Sequence, residues 1–292
     1  MMEKRKASEL ILNANGSVYH LNLHPEDIAE TIITVGDPSR VEMVSRYFDA
    51  LEFKGNKREF ITHTGRIGRK RLTVISSGIG PDNIDIVLNE LDILANIDLQ
   101  SGLPKEQHTA LQIIRLGTSG ALHADIPVDT LLLSEGAFGL DNLLHFYKYE
   151  PDQLATTMQQ ALLDHCQFPA VLQPYYFSAD QKLVRQLGDG FMHGITLTAP
   201  GFYGPQGRQV HAPVRIPGLL DTVSAFRIKD KRITNIEMES AAIFGLSSIL
   251  AHSAVSLNAI LANRATGQFS TDSHQAVDHL IRSALEIIAT WA

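Results

Sequence analysis

TIITVGDPSRVEMVSRYF, residues 31–48, reads as a strand, a tight turn and a helix in direct succession. Thr31–Val35 is an apolar run rich in β-branched residues, which favours an extended and buried strand. Gly36-Asp37-Pro38 ends it, and VEMVSRYF (41–48) then spaces its apolar residues along one helical face. The same alternation recurs outward from this stretch. RLTVIS (71–76) predicts a second strand, broken by SGIGP, and Ile84–Leu94 a second helix. QIIRLG (112–117) and DTLLLSEG (129–136) predict strands, Leu154–Cys166 and Gln181–Leu187 helices, and GITLTAP (194–200) an extended segment. RITNIEM (232–238) reads as a strand, AAIFGLSSILAH (241–252) as a helix and VSLNAILAN (255–263) as another strand. His274–Trp291 closes the chain with Val277, Leu280, Ile281, Leu285, Ile288 and Trp291 on one helical face. This order predicts a three-layer α/β/α fold around a central mixed, largely parallel twisted sheet. No repeat, low-complexity tract or dividing linker interrupts it, so one domain over 1–292 is expected, with 1–16 as a flexible N-terminal extension.

Composition narrows the class of function. The chain has 292 residues, 44% hydrophobic and 20% charged, enough apolar material for a sizeable core without a metal or disulfide staple. Its formal net charge of −7 argues against a nucleic-acid or polyanion binder, which carries a basic face. Cys166 is the only cysteine, which rules out an intrachain disulfide and suits a reducing compartment. The apolar part of MMEKRKASELILNANG (1–16) is too short for a signal-peptide core, and no run approaches the roughly 18 apolar residues of a membrane span. A cytoplasmic location and no membrane partner are expected.

In parallel sheets ligands gather where strands end and helices begin. In VGDPSR (35–40) the turn exposes backbone N–H groups that favour an anion, and Arg40 adds a charged fork; a plain strand-to-helix turn would look the same. SSGIGPDN (76–83) carries glycines that suit close approach of a ligand or of a packed neighbour. In IIRLGTSGAL (113–122), Arg115 lies inside an apolar strand and needs an acidic partner or an anionic ligand, and Gly117-Thr118-Ser119-Gly120 reads as a turn that could cradle phosphate. APGFYGPQGRQV (199–210) offers aromatic faces at Phe202 and Tyr203 beside the amide of Gln206 and the guanidinium of Arg208, a set suited to a flat heterocycle as well as to solvent. In NIEMESAAIFGLSSIL (235–250), Glu237 and Glu239 open a helix, where acidic side chains complement its dipole. Asn263 and Arg264 end a buried strand.

GDPSR (36–40), GIG (78–80), RLGTSG (115–120), FYGPQGR (202–208), IEMES (236–240) and NR (263–264), in this order, make the chain resemble the nucleoside phosphorylase family, with uridine phosphorylases the nearest group. The resemblance runs from Ser17 to about Asp272 and includes SVYHL (17–21) and KREF (57–60). It implies reversible phosphorolysis of uridine, deoxyuridine or thymidine to a free base and a pentose 1-phosphate, as in pyrimidine nucleoside salvage. Inorganic phosphate is then a co-substrate, and no resident cofactor is implied. By the same resemblance Gly36, Arg40, Arg115 and Thr118 contact phosphate, joined by Arg58 from a neighbouring subunit. Thr118, Met238 and Glu239 contact the ribose, and His20 of the neighbour approaches its 5′-hydroxyl. Phe202, Gln206, Arg208 and Arg264 read the base, while Glu237 supports the arrangement. Arg40, Arg115, Gln206, Arg208 and Glu239 form the implied catalytic set. Glu59 and Ser76 resemble positions that hold a monovalent cation, such as K+, between subunits in some relatives. Shared residues imply a homodimer at least, or a hexameric trimer of dimers.

Two further implications concern chemistry. Nucleoside-hydrolysing relatives lack a full phosphate-binding set, whereas Arg40, Arg58 and Arg115 are all present here. Purine-cleaving relatives carry a Ser-Asp pair whose Asp protonates the purine; this chain has Asn263-Arg264 there, which implies a pyrimidine. The alternatives are a purine nucleoside phosphorylase or nucleosidase on the same fold, and a non-catalytic nucleoside sensor. The stretch from Leu140 to Gln173 matches no motif and is expected as an insertion or lid.

Overall fold

All five residues of Thr31–Val35 (β1) are buried, which places this strand inside a sheet with neighbours on both sides. The computed structural model describes residues 6 and 8–291. Residues 1–5 and 7 of the expected extension lie outside the described residues. From residue 8 the chain lies against the body: Leu12 bridges Val18, and Asn13 Nδ2 donates to Ser17 Oγ at 2.9 Å and to the Val18 carbonyl at 2.7 Å.

The early strands are β2 (Ala50–Lys57), β3 (Phe60–Ile67) and β4 (Lys70–Ser76), followed by a short pair, β5 (Ile97–Asp98) and β6 (Leu103–Pro104). Then come β7 (Gln112–Ala121), β8 (Leu131–Gly139), β9 (Tyr175–Ser178) and β10 (Met192–Thr198). The last three are β11 (Arg227–Ile228), β12 (Lys231–Glu237) and β13 (Ser253–Asn263). The helices are α1 (Ser39–Ser45), α2 (Pro81–Asn96), α3 (Gln153–Cys166), α4 (Gln181–Leu187), α5 (Leu219–Ala225), α6 (Ser240–Ile249) and α7 (Ser273–Ile288).

Eleven strands form one mixed sheet in the order β11-β12-β10-β8-β13-β7-β1-β4-β3-β2, with β9 on β8. β1 runs parallel to β4 and β7, β7 to β13, and β10 to both β8 and β12. β12 also pairs antiparallel with β7, through Asn235 opposite Ala121 and Ile236 opposite Gly120. Together with the antiparallel β13–β8 pair, this bends β7, β13, β8, β10 and β12 into a closed ring. Side chains alternate across a strand, and the set turned into the ring is polar: Ser119, Ser134, Thr196, Asn235, Ser256 and Asn258 are all buried. Hydroxyls and amides satisfy one another there, as buried polar groups must.

Helices α2 and α6 pack on one face, and α1, α4 and α7 on the other, while α3 and α5 cover the outer wall of the ring. Helix α6 is buried from Ser240 to Ser247 and is therefore apolar almost all round. Helix α7 buries Val277, Leu280, Ile281, Ala284, Leu285 and Ile288 on one stripe. Among the described residues no helix is long and apolar enough to cross a membrane.

Several expected boundaries move for identifiable reasons. Helix α1 starts at Ser39 rather than Val41, because the Asp37 carboxylate accepts bonds from Ser39 N and Oγ, both at 2.8 Å. Gly117–Gly120 is strand rather than turn: β13 pairs with β7 as far as Ala121. The β2–β3 hairpin has no counterpart among the expected strands. Strand β2 is mostly exposed, and β3 buries Thr62, His63 and Thr64, so neither shows an apolar run.

Ile281→Ala on the buried stripe of α7 should cost about 2–5 kcal/mol of unfolding free energy in urea titrations. Glu286→Ala on its exposed side should stay within about 0.5 kcal/mol of the parent.

Candidate active site

The ends of β1, β4, β7, β10, β12 and β13 open onto one cavity of about 790 Å³. Gly36, Asp37 and Arg40 line it after β1, and Gly78, Ile79 and Asn83 after β4. Thr118, Ser119 and Gly120 come from β7, Ile236 to Glu239 from the end of β12, and Leu261 and Ala262 from β13. Phe202, Gln206 and Arg208 close the side beyond β10.

Arg115 is the anchor. Its guanidinium is buried, with Nη2 at 2.6 Å from Glu239 Oε2 and 3.0 Å from Glu237 Oε2, and Nη1 donating to Asn258 Oδ1 at 2.7 Å. The acidic partner that a buried strand arginine requires is therefore provided twice. Burial disfavours its charge, but the Glu237 and Glu239 carboxylates outweigh that and raise its pKa above the ordinary value. Gly117 lies directly beneath: a Cβ there would fall 1.7 Å from Arg115 Nη1, so only glycine lets the guanidinium fold back over the strand.

The two glutamates divide the work. Glu237 accepts from Thr198 Oγ1 at 2.5 Å, from Glu239 N at 3.0 Å, and from Ser240 N at 3.0 and 3.1 Å. It thereby caps the N-terminus of α6, where orphan N–H groups need an acceptor. Glu239 reaches instead to Gly80 N at 2.7 Å, across the cavity floor. Burial raises the Glu239 carboxyl pKa, against the pull of Arg115. Gly80 supplies this N–H from a left-handed backbone, φ 96°, that an L side chain rarely adopts.

Arg40 differs from Arg115. It is half-buried, and among the described residues no carboxylate lies within ion-pair reach of it; burial lowers its pKa, opposed by Asp37. A cation in this state is a strong attractor for a small anion. At the far side, Arg208 stacks on Phe202 at 3.8 Å from the ring centroid and donates to Gln206 Oε1 and to the Phe202 carbonyl, both at 2.6 Å. Gln206 is buried, while Phe202 is half-exposed at the rim. Burial, then Arg264, depresses the Arg208 pKa, as expected for two guanidinium groups sharing a site without a carboxylate.

The structure thus brings Gly36, Arg40, Arg115, Thr118, Phe202, Gln206, Arg208, Met238, Glu239 and Glu59 to one cavity and leaves others off its lining. Arg264 lies behind Gly120 and donates through Nη2 to the Gln206 carbonyl at 3.3 Å. His20 is held by Glu90, with Nδ1 2.7 Å from Oε1. Arg58 is exposed at the tip of the β2–β3 hairpin, at φ 56°. Ser76 Oγ donates to the Glu59 carbonyl at 2.5 Å and accepts from Ile61 N at 2.8 Å. Residues 140–173 are not part of the lining of this cavity. Sequence reasoning missed Phe269, a rim aromatic in a polar loop, and Ile79, both largely exposed.

Asp92, His108 and His252 cluster elsewhere with metal-like spacing. His252 Nδ1 accepts from Leu111 N at 3.1 Å, and its Nε2 lies 3.3 Å from Asp92 Oδ1.

The family model described as the phosphorylase superfamily matches residues 30–290. The chain belongs to that superfamily. It is 27% identical over 297 residues to a uridine phosphorylase of Thermococcus kodakarensis, a match covering 100% of this chain and 94% of the relative. It is 27% identical to a Trypanosoma brucei nucleoside phosphorylase whose crystal structure is described as showing uridine phosphorylase activity. That match has a TM-score of 0.86 and covers 96% of this chain and 98% of the other. A Toxoplasma gondii purine nucleoside phosphorylase in complex with immucillin-H shares the fold, with a TM-score of 0.66 at 21% identity and 96% coverage of each chain. The mixed sheet of this phosphorylase, with helices on both faces, is the nucleoside phosphorylase fold.

Removing one partner of a buried ion pair typically costs about 3–5 kcal/mol. Glu237→Ala should lose that much in chemical denaturation, because the helix cap goes with it. Glu239→Ala should lose less, since Glu237 then keeps both its hold on Arg115 and the helix cap.

Proposed function

We propose that this phosphorylase cleaves a pyrimidine nucleoside, with uridine, deoxyuridine and thymidine as the substrate class, by transferring its pentose to inorganic phosphate. One observation carries the reading. A single cavity holds Arg40, a guanidinium with no carboxylate in ion-pair reach among the described residues, beside the Gly36 turn, Glu239 and Met238 midway, and the Phe202–Gln206–Arg208 set beyond. That sequence of groups suits an oxyanion, a sugar and a flat base. Several relatives named uridine phosphorylase support it, beside others named purine nucleoside phosphorylase.

In this reading Arg40, Gly36, Arg115 and Thr118 hold phosphate under the anomeric carbon. A phosphate oxygen forms the new bond to C1′ as the C1′–N1 bond breaks, and its electron pair leaves with the base. The phosphate charge offsets the cationic sugar that develops. Glu239 accepts from the ribose hydroxyls, and Met238 packs against the ring. Gln206 Oε1 is engaged by Arg208, so its NH₂ and the remaining Arg208 donors are left for the uracil anion. A second copy of the chain brings His20 and Arg58 to the site, which makes a dimer the smallest active unit. The reading includes a cytoplasmic location and a part in pyrimidine salvage.

The choice of pyrimidine has a structural support. Asn263 turns inward, donating to the His123 and Ile126 carbonyls at 2.8 Å and accepting from Ala265 N and Thr266 N at 2.9 Å. The loop after β10 gives the cavity an amide, Gln206, and a guanidinium, Arg208, while its carboxylates, Asp37, Glu59, Glu237 and Glu239, come from other parts of the chain.

With phosphate present, uridine should be consumed, with a change in base absorbance, and inosine should not. Turnover of inosine alone would overturn the base assignment, and binding without cleavage would point to a sensor. Arg40→Ala should lower kcat/KM for phosphate by about 10²–10³-fold with the fold intact, read from steady-state kinetics at varied phosphate. Gln206→Leu should impair uridine cleavage selectively; unchanged uridine kinetics would remove Gln206 from base recognition.

A further inference from the structure

Asn258 sits fully buried in the middle of β13, outside every motif of the site. A buried carboxamide brings acceptor and donor groups that must all find partners. Its Oδ1 accepts from Arg115 Nη1 at 2.7 Å, and its Nδ2 donates to Ser256 Oγ at 3.2 Å and Ser134 Oγ at 3.4 Å. Ser240 Oγ donates to the same Ser256 hydroxyl at 2.8 Å, and Ser240 N donates to Glu237 Oε2 at 3.0 Å. A closed circuit thus runs from Arg115 through Asn258, Ser256, Ser240 and Glu237 back to Arg115.

This circuit grips the guanidinium from two sides. Two carboxylates hold Nη2, and a neutral amide holds Nη1. The neutrality matters. Glu237 and Glu239 already outnumber the single cation, and a third carboxylate would repel an incoming oxyanion. An apolar residue would leave nothing to balance the carboxylates, which would draw the guanidinium toward themselves. An amide supplies the counter-pull without charge.

We propose that Asn258 is a positioning residue. It fixes the Arg115 guanidinium so that the N–H groups not engaged by Glu237, Glu239 and Asn258 are available to a phosphate beside Arg40. The proposal rests on the phosphorolysis reading above. It follows the general pattern in which a buried neighbour orients the group that meets the ligand.

The test is calorimetric titration of inorganic phosphate alone, and separately of uridine alone, into the full-length parent, Asn258→Leu, Asn258→Ala and Thr196→Val. Thr196 belongs to the same buried network, bonded to Ser134 at 2.5 Å and Asn235 at 2.9 Å, without touching Arg115. Loss of a hydrogen bond to a charged group should weaken phosphate binding about tenfold or more in both Asn258 variants. Uridine affinity should stay within about twofold, and Thr196→Val should lower the melting temperature while keeping phosphate affinity. A folded Asn258 variant that binds phosphate like the parent overturns the proposal. So does equal weakening of both ligands, or a matching phosphate loss in Thr196→Val, either of which would mean packing alone. If leucine prevents folding, the alanine variant decides between these outcomes. A parent that binds no phosphate would instead bring down the phosphorolysis reading itself, an outcome distinct from failure of the positioning role alone.

Discussion

A guanidinium buried between two carboxylates is the constraint on which this molecule is built. Arg115 comes from β7, and Glu237 and Glu239 from the junction of β12 and α6, so one ion cluster joins two parts of the chain that the sequence keeps far apart. Burying those charges singly would be prohibitive, whereas together they are tolerated because neighbouring donors and acceptors engage them as well. Thr198, Ser240, Asn258 and Gly80 provide that engagement. The polar lining of the ring follows from the same need.

The cluster also sets how charge is distributed over the cavity. Arg115 is neutralised within the protein, whereas Arg40 and Arg208 are not paired with carboxylates among the described residues. Two cationic ends therefore flank an anionic middle. The polar floor is held by strands, but the rim includes exposed side chains, Ile79, Phe202 and Phe269.

Much of this was legible in the sequence, and the exceptions are instructive. Long apolar runs such as Thr31–Val35 and the periodic stripe of α7 declare themselves, because burial on one or both faces leaves a clear pattern. The strand ends pointed to Arg40, Arg115, Gln206, Arg208 and Glu239, which do share one cavity. The β2–β3 hairpin stayed hidden because its strands carry polar residues on both faces. Gly117–Gly120 looked like a turn because glycine, serine and threonine favour turns locally; pairing with β13 and β12 overrode that preference. Whether Arg115 faced an acid or a ligand could not be read from one strand, since its partners lie on another. Asn258 gave no signal at all, as a lone amide in an apolar strand has meaning only once its neighbours are known.

The order of strands has a consequence for biogenesis. β13 lies between β7 and β8, yet it is translated after both. Until it inserts, β7 and β8 have no shared neighbour, and the gap between them exposes two unsatisfied edges. Ring closure must therefore await the last part of the chain, a pairing of high sequence separation that slows folding. A nascent chain lacking residues beyond 252 would carry Arg115, Glu237 and Glu239 without Asn258, the β13 amide that holds Arg115 Nη1.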